Sequence, residues 1–255
     1  MYAPAQSSRR QLRFDIDRQP DETTCGATSL HAVYRYFGDE VSVDQVIAEV
    51  PHLEAGGTLA VLLACHALRR GYRATLFSYN LRVFDPTWFG LGRAALRERL
   101  LRRREHQTNA KLRLAIEAYA EFLERGGELR FADLSPRLIH RLLDRELPVL
   151  TGLSSTYLHR SAREIPATGE LDDVRGEPAG HFVVLCGYDE RARKVLVADP
   201  LHPNPLAPTR IYAVAVDRLT TAILLGVLTY DANLLQLEPA ARRRAAESAG
   251  PGAPA

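Results

Sequence analysis

The chain of 255 residues is 46% hydrophobic, which is enough apolar side chain to bury a substantial core in one domain. Its 33 basic and 31 acidic residues leave a net charge of only +2. Such a balance argues against a general nucleic-acid or membrane-surface function. We therefore expect no nucleic-acid partner.

The cysteine content and the N-terminal residues indicate in which cellular compartment the protein is expected. The 3 cysteines are scattered, a pattern that favours a reducing compartment over a disulfide framework. The N-terminal residues lack the apolar segment of a signal peptide. No run reaches the roughly 20 apolar residues that a membrane span needs. We expect a cytoplasmic protein without a membrane span.

The first predicted elements are a strand, a turn and a helix. Apolar and polar residues alternate over 12–17, which predicts a strand, and an apolar-periodic run over 31–37 that ends at Gly38 predicts a helix. Cys25 lies in the turn that opens this helix, where unpaired N–H groups and the positive end of the dipole favour an anion. A thiol placed there loses its proton more easily, and the thiolate is the form that attacks a carbonyl carbon.

Cys25 also has a simpler interpretation, because cysteine is often a small buried hydrophobic residue. The neighbouring Gly26 has no Cβ, and we expect it to keep the sulfur accessible to a substrate.

The middle of the chain is predicted to be mainly helical. Ser42 caps a helix over 43–50, and further elements follow as a helix over 59–70 and a strand over 73–79. Leucine periodicity over 93–125 predicts one or two long helices whose first half is rich in arginine. We interpret the arginines as a solvated helix face, with recognition of nucleic acid or of an acidic peptide as the alternative.

The second half of the chain is predicted to form the sheet. Ser135 and Pro136 open a helix, and a long polar loop covers 160–179. Strands are predicted over 148–153, 180–189, 194–198, 210–214 and 226–230, with a helix over 219–225. The loop directly precedes His181, so we expect it to border the functional site.

His181 and Asp199 are predicted to meet in the hairpin of this sheet. His181 begins one strand and Asp199 ends the next, and antiparallel neighbours place the start of one beside the end of the other. An imidazole held by a carboxylate is the base and its orienting group in a nucleophilic triad. Taken singly, each residue is more often structural.

In combination these motifs resemble the C39-type cysteine peptidases, a family with a papain-like fold. The matching residues are Gln19, then Cys25-Gly26, then Gly180-His181 leading an apolar strand, and finally Ala198-Asp199-Pro200. The resemblance implies that Cys25 is the nucleophile, His181 the general base and acid, and Asp199 the group that orients the imidazole. It also implies that the Gln19 amide donates to the oxyanion.

The expected function is that of a cysteine peptidase which hydrolyses a peptide or amide bond and needs no cofactor or metal. The best-known relatives are fused to transporters and cut after Gly-Gly, whereas we expect a standalone domain here. The same acyl-enzyme also serves an acyltransferase or transpeptidase, which stays open as an alternative. A catalytically silent peptide-binding module is the second alternative.

The expected fold class is α+β, with N-terminal helices packed against an antiparallel sheet and the active site in the cleft between them. We expect a single domain over 11–237 with a helical insertion at about 93–127. Residues 1–10 and 238–255 are predicted to be flexible tails.

Overall fold

The computed structural model describes residues 9–54 and 56–240. Its α-helices are α1 (Cys25–Tyr36), α2 (Val43–Glu49), α3 (Ala60–Arg69), α4 (Arg93–Glu105), α5 (Ala110–Glu124), α6 (Pro136–Leu143), α7 (Ser155–His159) and α8 (Val216–Leu225). Its β-strands are β1 (Arg9–Gln11), β2 (Tyr72–Ser78), β3 (Glu128–Arg130), β4 (Val149–Ser154), β5 (Gly180–Asp189), β6 (Lys194–Ala198), β7 (Ile211–Ala215) and β8 (Asn233–Pro239). Short 3-10 helices cover Pro86–Trp88 and Gly226–Thr229. The predicted α+β class is confirmed.

The strands form one sheet in the order β3-β2-β8-β4-β5-β6-β7, with β1 paired to β5. The described pairs are antiparallel apart from β2 and β3, which run parallel at one edge. In the β5–β6 hairpin Val184 pairs with Ala198. This register brings the start of β5 beside the residues that follow β6.

Helix α1 packs closely on β5 and joins the helical layer to the sheet. The Ser29 hydroxyl donates a hydrogen bond to the Phe182 carbonyl oxygen at 3.2 Å. A Cβ on Gly26 would lie 2.6 Å from Thr58 Cγ2 and 3.1 Å from Phe182 Cδ2. Gly26 therefore permits the close approach of α1 to its neighbours, a role different from the access to sulfur that we inferred from the sequence.

Side-chain caps explain where several predicted helices begin. Ser42 accepts from the Gln45 N–H at 3.1 Å, and Ser135 accepts from the Leu138 N–H at 3.2 Å. Such caps satisfy backbone donors that the first helical turn leaves unpaired. The helices predicted from these caps are confirmed.

The strand predicted over 12–17 is wrong. Leu12, Phe14 and Ile16 are buried, so the alternation of the sequence is real. The segment nevertheless lies outside the strand pairing, and only Leu12 joins β5, through a hydrogen bond to the Cys186 carbonyl at 2.8 Å. Because one side of the segment is buried, apolar residues recur at every second position, although the segment forms no ladder of backbone hydrogen bonds.

The strand predicted over 226–230 is also wrong, because this segment forms a 3-10 helix and a turn. Tyr230 and Ala232 have positive φ angles of 73° and 63°, which are incompatible with a strand. The true strand is β8, which follows directly and lies between β2 and β4. Leu228 is exposed and Val227 and Thr229 are only partly buried, so the β-forming composition of this segment does not reflect burial within the sheet.

The boundaries of the predicted tails need small corrections. Arg9 and Arg10 belong to β1, and β8 extends to Pro239, so both tails were predicted slightly too long. The remainder of the predicted tails, 1–8 and 241–255, lies outside the described residues. The single-domain assignment and the helical insertion stay predictions.

The arginine-rich helix α4 is paired with α5. Arg97 contacts Glu124 at 3.0 Å, and Arg104 pairs with Glu117. These ion pairs are exposed, as expected of a solvated helix face. Among the described helices, none combines the length and apolar character of a membrane span.

We predict that Gly26→Ala destabilises the protein by about 1–3 kcal/mol, because the added methyl group overpacks the contact between α1, Thr58 and Phe182. Denaturant unfolding measures this free energy. Gly90→Ala is the matched control, since a Cβ on Gly90 meets nothing within 4 Å. Equal stability of the two variants would contradict the close packing.

Candidate active site

Cys25 is the first residue of α1, at the edge between the helices and the sheet. The N-cap residue Thr24 makes no side-chain capping bond to the helix. Its hydroxyl instead donates to the Asp21 carbonyl oxygen at 3.1 Å. The first turn also contains no acidic side chain. The positive end of the helix therefore faces the Cys25 thiol without a competing anion from that turn.

His181 and Asp199 are brought together by the β5–β6 hairpin. Nε2 of His181 lies 2.7 Å from Oδ1 of Asp199, and both side chains are buried. Cys25 lies close enough to the same imidazole to raise the pKa of His181. Because Nε2 faces the carboxylate, Nδ1 is the ring nitrogen available to the sulfur. His181 and Asp199 are thus in direct contact, and Cys25 is near enough to His181 to act on its charge.

The charges of the imidazole and carboxylate stabilise each other. Burial opposes the charged imidazole, but Asp199 and Cys25 outweigh it and raise the pKa of His181 to about 10. Burial likewise opposes ionisation of Asp199, yet His181 and the surrounding donors hold the pKa of its carboxyl well below the usual range. An imidazolium facing a carboxylate is therefore the state that the site favours at neutral pH.

Gln19 is buried in the loop that leads to Cys25. Its backbone N–H donates to the Pro200 carbonyl oxygen at 3.0 Å, which fixes this loop against the turn that follows Asp199. Its side-chain Nε2 donates to the Asp21 carbonyl oxygen at 2.8 Å. An amide nitrogen carries two hydrogens, so one N–H of Gln19 remains for another acceptor. Its role at the oxyanion stays a prediction.

Several residues around Asp199 were not identified from the sequence. Oδ2 of Asp199 accepts from the Tyr212 hydroxyl at 2.6 Å and from Asn204 Nδ2 at 2.8 Å, and Nε2 of His159 lies 3.4 Å away. Tyr212 lies on β7, Asn204 on the proline-rich crossing and His159 at the end of α7. No spacing rule relates three such elements, so a pattern search could not have assigned these residues.

The long loop over 160–179 comes close to the loop that precedes Cys25. Backbone pairing of Glu164 with Leu171 and Glu177 folds it into a narrow finger. A Cβ on Gly169, at the bend of this finger, would lie 3.4 Å from Oε2 of Glu22. Burial and the nearby Glu22 raise the pKa of Glu164, while His181 opposes the shift. The finger thus approaches the Cys25 loop from the His181 side.

The other two cysteines are embedded in the core. Cys65 contacts the Ala118 carbonyl oxygen at 3.6 Å, and Cys186 contacts that of Leu196 at 3.7 Å. Burial raises the pKa of each thiol to about 12. The interpretation of Cys65 as a packing residue is consistent with this environment.

We predict that iodoacetamide alkylates Cys25 at least about tenfold faster than Cys65 or Cys186 at neutral pH. Cys25 is 7% exposed against 1% for each of the others, and it alone lies beside an imidazole with a raised pKa. Peptide mapping after timed labelling measures the three rates. Cys25→Ser is the control, in which the two slow rates should persist. Comparable rates for all three thiols would contradict an activated Cys25.

We predict that the His181 imidazolium titrates near pH 10 rather than near the ordinary value of about 6.5. Because the folded-state pKa is the higher one, the stabilisation is fully present below about pH 6.5 and is lost as the pH rises through about 10. NMR of isotope-labelled histidine measures the midpoint, and His181→Gln assigns the signal. Asp199→Asn should move the midpoint down, since burial then lacks its counter-charge. A wild-type midpoint near 6.5 would contradict the ion pair.

Comparison with family models identifies one segment of the chain. Residues 130–214 match the Peptidase_C39 like family. This segment contains His181 and Asp199, whereas Gln19 and Cys25 precede it. A search of curated proteins gave no match.

Comparison with solved structures addresses the fold. A protein described as a C39-like peptidase from Bacillus anthracis matches with a TM-score of 0.50 and 13% identity, over 91% of this chain and 98% of that chain. The double glycine motif protease of an AMS/PCAT transporter, solved with a leader peptide, gives a TM-score of 0.43 and 13% identity, over 91% and 96%. The peptidase domain of Streptococcus ComA, an ABC transporter, gives 0.41 and 12% identity, over 89% and 99%. The family match covers residues 130–214 alone, and the first of these likenesses shows that the fold is similar to the papain-like fold of a C39-like peptidase.

Proposed function

We propose that the protein is a cysteine peptidase that hydrolyses a peptide or amide bond. The observation that carries this proposal is an imidazole 2.7 Å from a buried carboxylate, with Cys25 near enough to raise the pKa of that imidazole. Nucleophile, base and orienting group within hydrogen-bond reach are the signature of covalent catalysis by a thiol. The C39-like domain agrees with this reaction class.

The proposed reaction uses each of the three residues in turn. The Cys25 thiolate attacks the carbonyl carbon of the substrate and forms a C–S bond. The His181 imidazolium gives its proton to the leaving amine as the C–N bond breaks, which leaves a thioester on Cys25. The neutral imidazole then takes a proton from water, whose oxygen attacks the thioester. Release of the acid returns the thiolate and the imidazolium, while Asp199 stabilises the charged ring throughout.

The oxyanion of the tetrahedral intermediate needs donors near the sulfur. We assign this role to the backbone N–H of Cys25 and the remaining N–H of the Gln19 amide. The bond from Gln19 to the Asp21 carbonyl fixes the amide plane, so the second N–H has a defined direction. A donor of this kind typically contributes about 3 kcal/mol to the stabilisation of the transition state.

Transfer of the acyl group to an amine uses the same thioester as hydrolysis does, so analysis of the products has to separate acyl transfer from hydrolysis.

A tryptic digest of a cell proteome serves as the probe, and mass spectrometry of new peptide ends is the readout. We predict that the wild type creates new free carboxyl ends and that Cys25→Ala creates none. Hydroxylamine at low concentration should divert little product if water is the natural acceptor.

Cys186→Ala is the matched control, because this thiol is buried in the sheet and its sulfur contacts the Leu196 carbonyl oxygen. It should retain cleavage even if its stability falls. Dominant hydroxamate products would identify a transferase instead. Cleavage that survives in Cys25→Ala, or peptide binding without any covalent turnover, would contradict the peptidase.

A further inference from the structure

The two oxygens of Asp199 have different partners. Oδ1 faces Nε2 of His181 at 2.7 Å and accepts from the Leu201 N–H at 2.9 Å. Oδ2 accepts from the Tyr212 hydroxyl at 2.6 Å and from Asn204 Nδ2 at 2.8 Å. Oδ1 is therefore shared between the imidazole and one backbone N–H, whereas Oδ2 is held by two side-chain donors.

An aspartate carboxylate has a broad, roughly two-fold torsion about its terminal bond. Its orientation is consequently set by the donors that surround it rather than by its own rotamer. Asp199 is fully buried, so water does not supply those donors. Rotation of the carboxylate plane would move Oδ1 away from His181 while breaking both bonds to Oδ2.

Tyr212 is held in place by the sheet. It lies on β7, pairs with Val197 of β6 and points into the core. The Asp199 N–H donates to the Arg210 carbonyl at 2.8 Å, which continues the pairing of these strands up to the carboxylate-bearing residue. Burial, aided by the neighbouring carboxylate, raises the pKa of Tyr212, so its hydroxyl stays a donor throughout the neutral range.

Asn204 is fixed by a second, independent contact. Its Oδ1 accepts from the Leu206 N–H at 2.8 Å, and this bond determines which way the amide faces. The amide nitrogen then has to face Asp199, where it donates to Oδ2. The proline-rich crossing between β6 and β7 thus supplies a donor with a defined direction.

We propose that Tyr212 and Asn204 are positioning residues: they anchor one oxygen of Asp199 so that the other stays aligned with His181. This assignment rests on the proposed function, since it acts through the imidazole that serves Cys25. His159 contacts the same anchored oxygen at a longer 3.4 Å and contributes less to its orientation.

Tyr212→Phe tests the proposal, because it removes the hydroxyl and keeps the ring. The first measurement is alkylation of Cys25 by iodoacetamide at neutral pH, which needs no substrate. We expect it to slow by about tenfold, the size of effect expected for a hydrogen bond to a charged group. The second is the NMR titration of His181, whose midpoint should fall by about one pH unit as Asp199 loses alignment. The other titratable groups near the ring, Cys25, His159 and Glu164, are unchanged in this variant.

Tyr119→Phe is the matched control, since its buried hydroxyl bonds Asn233 rather than Asp199. It should leave both readouts at their wild-type values, even if its melting temperature falls. Asn204→Ala should act in the same direction as Tyr212→Phe. In an Asp199→Asn background, Tyr212→Phe should cost little more, because residues that act through one group are not additive.

The outcomes separate this proposal from the proposed function. Unchanged alkylation and titration in both Tyr212→Phe and Asn204→Ala, with a rapidly labelled wild type, would overturn the positioning role alone. An effect of Tyr212→Phe that persists fully in the Asp199→Asn background would also overturn it, because it would then be a general loss of packing. A wild-type Cys25 that reacts no faster than Cys65 or Cys186 would instead overturn the proposed function.

Discussion

The buried charge of Asp199 is the constraint on which the rest of the site depends. A carboxylate removed from water costs several kcal/mol unless opposite charge and hydrogen bonds replace its hydration. Here the imidazole of His181 supplies the charge, and Leu201, Asn204 and Tyr212 supply direct hydrogen bonds. The β5–β6 register, the crossing after Pro200 and the pairing of β7 are all needed to assemble these donors around one residue. The ionised state of the Asp199 carboxylate therefore depends on this local fold.

The sulfur belongs to a different layer from the imidazole, so its alignment depends on how the layers pack. Cys25 begins α1, whereas His181 lies on β5. The hydrogen bond from Ser29 to Phe182 and the close approach at Gly26 fix the first turn of α1, which begins at Cys25, against the sheet. The hydrogen bond from the Gln19 N–H to the Pro200 carbonyl oxygen fixes the loop before Cys25 to the turn that follows Asp199. Contacts on both sides of Cys25 thus limit its movement relative to the imidazole.

The sequence predicted those features that depend on local chemistry or on one hairpin. The caps at Ser42 and Ser135 each act within a few residues, and the meeting of His181 with Asp199 needs only an antiparallel neighbour. The segment 12–17 was misassigned because burial of one side produces strand-like alternation without strand pairing. The segment 226–230 was misassigned because its β-forming composition does not reveal the 3-10 turn and the positive φ of Tyr230. Their true conformations depend on contacts with distant elements, which a local pattern does not contain.

The donors to Asp199 were missed for a related reason. Tyr212 alternates with less buried neighbours on β7 as any buried strand residue does, and an asparagine among prolines is typical of a turn. Their function arises only when β6, β7 and the crossing between them converge on one carboxylate.

Local rules of stability are broken where the proposed chemistry requires it. Thr24 is a residue type that commonly caps helices, yet its hydroxyl bonds Asp21 and makes no capping bond to α1. A capping oxygen would place a partial negative charge beside the thiolate and occupy N–H groups that face it. The open helix start costs some helix stability and leaves the N–H groups of the first turn free of a capping oxygen. Together with a buried carboxylate whose partners come from separate elements, this uncapped helix start agrees with the covalent chemistry proposed for Cys25.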